Sequence, residues 1–234
     1  MESGMIFRKN VNIQHACVIV LGGDAPQASY LADVLQRAPV CIAADSGASY
    51  CLQLGRIPDI LVGDMDSLSE ESLHCCQAAG IQIITYPPEK DFGDGELALH
   101  IAMDVLQART EKQIIVLGAW GNRLDHTFAN LGIGLAALDN GFEIYYGFDQ
   151  AFAFIMSGNS QKKLRGRPGD TVSILPMAGD ANGINLKGFY YPLENAKMTT
   201  AHAVGISNVM TEKEATIALR EGALLVIYNY HIEK

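Results

Sequence analysis

Asp64-Met-Asp66 sets two carboxylates two residues apart, flanked by Gly63 and Ser67. From an extended loop both can face one cation. An all-oxygen donor set of this kind suits a hard ion such as Mg²⁺. Other clusters accompany it: Gly22-Gly-Asp24, Asp45-Ser-Gly47, Lys90-Asp-Phe-Gly-Asp94 and Gly118-Ala-Trp-Gly-Asn-Arg-Leu-Asp-His126. Gly118 and Gly121 let backbone N–H groups approach an anion, and Arg123 offers a planar fork of donors to phosphate. A helix starting near Asp125 and His126 would favour negative charge at its N-terminus. Each cluster also has a plain alternative. Asp45, Asp94 and Asp125 could simply cap helices or make Asx turns. His126 could be a structural histidine, and Trp120 could pack over a base or fill a corner. Neither the G-x-x-x-x-G-K-[ST] phosphate loop nor a dinucleotide fingerprint occurs.

The elements that must position these clusters alternate in type. Strand-like runs at Ala16–Leu21, Val40–Ala43, Ile60–Val62, Ile81–Thr85, Ile114–Leu117 and Phe142–Tyr146 are separated by helical patterns. The helices are expected at Pro26–Arg37, Gly47–Leu54, from a capping box at Ser67-Leu-Ser-Glu70 to Ala79, Glu96–Gln107 and His126–Leu138. Such alternation implies a mostly parallel sheet covered by helices on both faces. Ligands of open parallel sheets bind beyond the carboxyl ends of the strands. Every acidic or glycine-rich cluster follows one of the first five strands. One edge would therefore gather Asp45, Asp64, Asp66, Asp91 and Asp94, whose mutual repulsion a divalent cation would relieve.

The chain changes style near residue 148. Short apolar or alternating segments follow at Ala151–Met156, Thr171–Leu175, Gly183–Leu186, Val204–Ser207, Thr216–Leu219 and Leu224–Tyr228. Arg167-Pro-Gly169, Asn182-Gly183 and Lys187-Gly188 punctuate them, as in antiparallel β structure. The expected fold is thus an α/β domain over residues 1–148 and an antiparallel β domain, a small sandwich or barrel, over 149–234. The 234 residues are 49% apolar and 18% charged, which excludes a disordered chain. A formal charge of −9 without a basic cluster argues against a nucleic-acid partner. No apolar run approaches the roughly 20 residues of a membrane helix, and no signal peptide is expected. The five cysteines form no C-x-x-C pair and read as small apolar fillers in a reduced, cytoplasmic protein.

Taken in order, the motifs resemble one family. Ala44-Asp-Ser-Gly-Ala48, Pro58-Asp-Ile-Leu-Val-Gly-Asp-Met-Asp-Ser67, Lys90-Asp-x-x-Asp-x-Glu96-x-Ala-Leu99 and Gly118-x-x-Gly-x-Arg-x-Asp-His126 resemble the thiamin pyrophosphokinases. Leu186-Lys-Gly-x-x-Tyr-Pro-Leu193, Gly205-Ile-Ser-Asn208 and Gly222-Ala-Leu-Leu-Val-Ile227 extend the likeness through the tail. The resemblance implies transfer of a pyrophosphoryl group from ATP to the thiamin hydroxyl, giving thiamin diphosphate and AMP with Mg²⁺. It implies an α/β N-terminal domain, a C-terminal β-sandwich domain, and a homodimer with active sites at the subunit interface. Carried onto matching positions, Asp64, Asp66 and Asp94 would organise metal and phosphates, with Asp45 beside them. Lys90, Asp91, Arg123, Asp125 and His126 would contact ATP. Ser207 and Asn208 would lie in the thiamin site. Asp64, Asp94 and Arg123 are the expected catalytic groups, with either carboxylate open as the proton acceptor.

This chain departs from the family pattern at three points. Gly93 stands where relatives usually carry Thr, Val209 where many carry Glu, and the tail has no tryptophan. Any ring stacked on thiamin would come from Tyr190, Tyr191 or another residue. Gly93 keeps open a non-catalytic thiamin- or nucleotide-binding module. A related pyrophosphokinase acting on a pterin alcohol is a further alternative, which the thiamin-like tail motifs oppose. A phosphohydrolase built on Asp64-Met-Asp66 would leave the later motifs unexplained.

Overall fold

The computed structural model describes residues 2–86, 92–202 and 204–230, so Lys90 and Asp91 lie outside the described residues. The chain divides into two compact units. One is Asn12–Asp149; the other joins Met1–Val11 to Gln150–Lys234. The first eleven residues, expected in the α/β domain, thus belong with the tail.

In the unit Asn12–Asp149 six strands form an all-parallel sheet. They are β1 (Ala16–Val20), β2 (Val40–Ala44), β3 (Ile60–Gly63), β4 (Gln82–Thr85), β5 (Gln113–Leu117) and β6 (Glu143–Gly147). The order is β4-β3-β2-β1-β5-β6, with Val18 of β1 in register with Cys41 and Ile115 on either side. Every residue of β1 is buried, whereas β4 at the edge is partly exposed. Near-continuous Val, Ile and Leu is what a strand covered on both faces requires. The chain starts at the middle of the sheet, winds out to β4, then returns to the other side of β1. The reversal between β1 and β5 opens the crevice in which such sheets hold ligands.

Helices α2 (Ala28–Arg37), α3 (Gly47–Gln53), α4 (Glu70–Ala78), α5 (Asp94–Leu106) and α6 (Leu124–Asp139) connect the strands. Helix α2 buries Tyr30, Leu31, Val34 and Leu35, spaced as one helical face. Helix α5 buries Leu97, Ala98, Leu99, Ala102 and Leu106 and packs on β1, β2, β3 and α6. Helix α4 starts later than the Ser67 box suggests. Its cap is Ser69, whose Oγ accepts the Ser72 N–H at 3.2 Å. Ser67 is drawn instead into the preceding turn, where the Leu68 N–H donates to the Met65 carbonyl at 3.3 Å.

The other unit is antiparallel. Its strands are β7 (Ala151–Ser157), β8 (Ser160–Arg165), β9 (Thr171–Lys187), β10 (Leu193–Met198), β11 (Gly205–Val209), β12 (Glu214–Leu219) and β13 (Glu221–Asn229). Their order is β7-β13-β9-β12-β8, with β10 and β11 also paired to β9. The segments Thr171–Leu175 and Gly183–Leu186, expected as two strands, are one. Residues 171–177 of β9 pair with β13 and β11, while 181–187 pair with β10 and β12. Ala178 at φ 55° and Gly179 at φ 119° make the bend that lets one strand serve both sets. Strand β8 (Ser-Gln-Lys-Lys-Leu-Arg) buries only Leu164, and its charged residues guard an edge strand whose one partner strand among the described residues is β12. Helix α1 (Glu2–Asn10) closes on β8. The Asn10 side chain donates to the Arg165 carbonyl at 2.8 Å and accepts the Arg165 N–H at 2.9 Å.

One buried carboxylate ties this unit together. Asp170 is fully buried and accepts the Arg167 N–H at 2.7 Å and the Tyr228 hydroxyl. Burial, with Asp170 beside it, pushes the Tyr228 hydroxyl well above its ordinary pKa. Removing an acceptor from two buried donors is costly. Asp170→Ala is expected to lower the unfolding free energy by about 2–4 kcal/mol. Tyr228→Phe should cost only about 1 kcal/mol, since the Arg167 bond remains. Urea denaturation followed by circular dichroism checks both, and equal losses would contradict the assignment.

Candidate active site

The site is built where β2, β3 and α5 present their ends. Asp45 follows β2 and takes a left-handed backbone, φ 44°, which Asp tolerates better than most residues. Its N–H still donates to the Val62 carbonyl at 3.0 Å, so the ladder to β3 continues under the turn. Its Oδ1 accepts the Met65 N–H at 3.4 Å. Gly63, at φ 144°, makes this possible, because an added Cβ would lie 1.6 Å from Asp45 Oδ1. The carboxylate occupies the place where any other residue would carry its side chain.

Asp64 and Asp66 follow Gly63 on a loop turned by Met65 at φ 67°. Asp64 Oδ1 accepts the Asp66 N–H at 3.0 Å, closing an Asx turn. Asp94 opens helix α5 and reaches Asp45. Burial, then the Asp94 carboxyl hydrogen-bonded to it, pushes Asp45 up to about 7. The Asp64 carboxyl beside Asp66 raises Asp66 above the ordinary carboxylate range, and the charge of Asp94 adds to this.

The capping alternative does not describe these residues. The residues at the starts of α3, α5 and α6 are Ser46, Gly93 and Arg123, and none makes a side-chain capping bond. Asp94 and Asp125 sit inside the first turns, where the helix dipole favours negative charge. The carboxylates stand as two pairs, Asp45 with Asp94 and Asp64 with Asp66. Among the described residues, no three acidic, His or Cys groups converge at metal-ligand spacing. Two carboxyl groups that hydrogen-bond each other share a proton at the cost of a charge. A divalent cation would relieve that cost, and carboxylate oxygens are the donor type that Mg²⁺ takes.

Glycine loops follow β1 and β5, where the strand order reverses. The Gly23 N–H donates to the Gly118 carbonyl at 3.0 Å, and the Asp24 N–H to the Trp120 carbonyl at 2.6 Å. Gly118 has φ 68°, and a Cβ there would lie 2.3 Å from the Leu21 carbonyl oxygen. Two side chains without any spacing signal brace these loops. The Tyr50 hydroxyl donates to the Gly23 carbonyl at 2.9 Å, and Asn130 Nδ2 to the Ala119 carbonyl at 2.8 Å. Trp120 fills a corner, its ring 4.7 Å from Phe148 and 6.3 Å from Tyr146.

Arg123, Asp125 and His126 are exposed at the start of α6. The Arg123 fork is engaged by Asp125, with Nε–Oδ1 at 2.9 Å and Nη2–Oδ2 at 2.6 Å. That guanidinium holds the Asp125 carboxyl well below the usual range. In the other unit, Ser207 is exposed at φ 54° and its N–H donates to Ser173 Oγ at 3.0 Å. Asn208 is buried, its Oδ1 accepting the Tyr191 N–H at 3.0 Å and its Nδ2 donating to the Tyr191 carbonyl at 2.7 Å.

Residues 31–146 match the thiamin pyrophosphokinase catalytic domain, and residues 160–224 match the vitamin B1 binding domain of thiamin pyrophosphokinase. The chain belongs to the thiamin pyrophosphokinase family. It is 27% identical over 212 residues to thiamine pyrophosphokinase of Bacillus subtilis (strain 168), covering 89% of this chain and 96% of that protein. The crystal structure of thiamine pyrophosphokinase from Bacillus subtilis superposes with a TM-score of 0.80 at 23% identity, covering 93% of this chain and all of that one. Thiamin pyrophosphokinase from Candida albicans has the same fold, with a TM-score of 0.78 at 15% identity over 97% of this chain and 92% of that one.

The seat of Asp45 is directly testable. Gly63→Ala should lower stability by about 1–3 kcal/mol through strain and collision with the carboxylate. Combining it with Asp45→Ala removes the colliding group and should recover part of that loss. A double mutant whose thermal midpoint falls by the sum of the single effects would refute the contact.

Proposed function

We propose that this chain transfers a pyrophosphoryl group from ATP to the hydroxyl of thiamin, releasing AMP and thiamin diphosphate. The observation that carries the reading is the carboxylate group Asp45, Asp64, Asp66 and Asp94, in a chain that matches both the catalytic and the vitamin B1 binding domains. The nucleophile is a primary alcohol and the electrophile is the β-phosphorus, so attack is in line with AMP leaving. Positioning and electrostatics then supply most of the rate.

Asp64, Asp66 and Asp94 would hold Mg²⁺, which when bound neutralises phosphate charge and orients the triphosphate. Asp45 shapes this group from the end of β2. Arg123 lies at the start of α6, where it can exchange its Asp125 partner for phosphate oxygens. Lys90, Asp91, Asp125 and His126 complete the ATP contacts in this reading. Asp64 or Asp94 would accept the alcohol proton as the new P–O bond forms. The acidic edge also attracts the thiazolium cation of thiamin. The tail unit would supply the thiamin site, including Ser207. As the family resemblance implies, the working form would be a cytoplasmic homodimer with its sites at the subunit interface. No helix among the described residues is long and apolar enough to cross a membrane.

The alternative of a binding module rests on Gly93. Its backbone is extended, φ −72° and ψ 157°, and nothing lies within 4 Å of an added Cβ. A Thr would fit there without rearrangement. The position therefore tolerates the residue usual in relatives and does not require glycine.

AMP release from ATP and Mg²⁺, with and without thiamin, separates these readings. Thiamin-dependent AMP in equal yield to thiamin diphosphate is expected. Saturable thiamin binding without AMP would favour the binding module, with Gly93→Thr as the variant that regains turnover. Asp64→Asn should reduce turnover at least about 10²-fold while the thermal midpoint stays within a few degrees, because it removes charge at little loss of packing. Normal turnover in that variant would refute the metal assignment.

A further inference from the structure

The loop between β5 and α6 carries Arg123, and its backbone is held through three successive carbonyls. That of Gly118 accepts the Gly23 N–H at 3.0 Å, that of Ala119 accepts Asn130 Nδ2 at 2.8 Å, and that of Trp120 accepts the Asp24 N–H at 2.6 Å. The outer two bonds come from backbone of the loop after β1, and the middle one comes from a side chain. A trans peptide is planar, so its N–H points opposite to its C=O. Tying the Ala119 carbonyl down to Asn130 therefore turns the Trp120 N–H the other way. Trp120 is half-buried, and among the described residues its N–H has no hydrogen-bond partner. A backbone donor in that position is satisfied by water or by a ligand.

Asn130 is itself fixed on three sides. It lies on α6, and its own carbonyl accepts the hydroxyl of Tyr146, a fully buried residue of β6, at 2.8 Å. Because Nδ2 must face the Ala119 carbonyl, the direction of Oδ1 is set as well. A Cβ built on Gly95 would lie 2.8 Å from that oxygen. Gly95 follows Asp94 in the first turn of α5. It is helical, so its constraint is space and not backbone angle. An amide held at Nδ2 cannot swing away from an added Cβ without releasing Ala119. The Asn130 side chain thus stands between the helix that opens with Asp94 and the loop that carries Arg123.

We infer that Asn130 is a positioning residue for the triphosphate. It fixes the peptide between Ala119 and Trp120 so that the Trp120 N–H serves as a donor to phosphate oxygen, and it sets this loop against the Asp94 end of α5. The inference rests on the ATP reading above and adds a residue that acts on that site through the backbone. Asn130 needs no contact with ATP, since its Nδ2 is spent on Ala119. A donor aimed in advance needs no reorganisation when the anion arrives, and a bond to a charged oxygen is stronger than one to a neutral acceptor. Without the Asn130 amide the peptide is free to rotate, and the N–H loses its aim.

The test uses the full chain and separates binding from turnover. ATP with Mg²⁺ is titrated calorimetrically, thiamin is titrated separately, and AMP release is followed in parallel. Asn130→Ala should weaken ATP binding about tenfold, as loss of one donor to a charged oxygen predicts, with thiamin binding within about twofold of the parent. Asn130→Asp keeps the shape, loses the donor and should weaken ATP binding at least as much. Gly95→Ala displaces Oδ1 and should weaken ATP binding in the parent, yet add little in the Asn130→Ala background, where the colliding oxygen is gone. Gly132→Ala is the control on the same helix: nothing lies within 4 Å of an added Cβ, and both affinities should stay at the parent value. Paired with Asn130→Ala, it should raise the thermal midpoint without restoring ATP affinity, a split that a merely structural Asn130 would not give. If Asn130→Ala does not fold, Asn130→Asp and Gly95→Ala decide the matter. Parent-like ATP binding in the Asn130 variants overturns the inference. So do equal losses of ATP and thiamin affinity, or additive effects of Gly95→Ala and Asn130→Ala. A parent chain that binds ATP but releases no AMP with thiamin would overturn the proposed reaction and leave the positioning role standing.

Discussion

The site depends on one steric and electrostatic arrangement, the Asp45 carboxylate seated in the space of a missing side chain at Gly63. That seat brings Asp45 against the Met65 N–H and within hydrogen-bond reach of Asp94. It couples the end of β2 to the loop after β3 and to the start of α5. The sheet explains why these ends meet at all. Parallel pairing of β1 with β2, and of β2 with β3, puts successive carboxyl ends on one edge. The helices then return the chain to the opposite edge. The cost falls on the carboxyl groups: burial and then the neighbouring Asp94 displace Asp45 upward, and the Asp64 carboxyl displaces Asp66. A fold that concentrates negative charge in this way is stable in use when a cation shares the site.

Much of this was legible in the residues. The buried strands β1, β2, β3 and β5 are runs of Val, Ile, Leu, Ala and Cys too apolar to be anything but sheet interior. Alternation with amphipathic helices implied a mostly parallel sheet, and the strand-end rule put Asp45, Asp64, Asp66 and Asp94 along one edge. Gly63 was visible as part of a motif, but its reason was not. Its absent Cβ makes room for the Asp45 carboxylate, and spacing could not indicate this because Asp45 and Gly63 come together only through β2–β3 pairing.

What escaped the sequence has identifiable physical causes. Strand β8 is polar because it is an edge, so hydrophobic periodicity could not reveal it. Strand β9 looked like two strands because Ala178, Gly179 and Gly183 carry turn-like backbone, yet antiparallel partners on both sides keep the strand continuous. The Ser67 box satisfied a local pattern, but the turn at Met65 claimed that residue and Ser69 became the cap. The first eleven residues joined the tail unit through contacts about 150 residues distant, such as Asn10 with Arg165. Asn208 carried a motif signal, but no spacing could show that it is buried with its amide bonded to the Tyr191 backbone.

The central claim is that the carboxylate edge directs attack at the β-phosphorus of ATP. Following ATP labelled at the β-phosphorus through one turnover with thiamin tests it most directly. The account requires the label in thiamin diphosphate, with unlabelled AMP in equal amount. Label recovered in ADP or in free phosphate, with thiamin unchanged or singly phosphorylated, would contradict it.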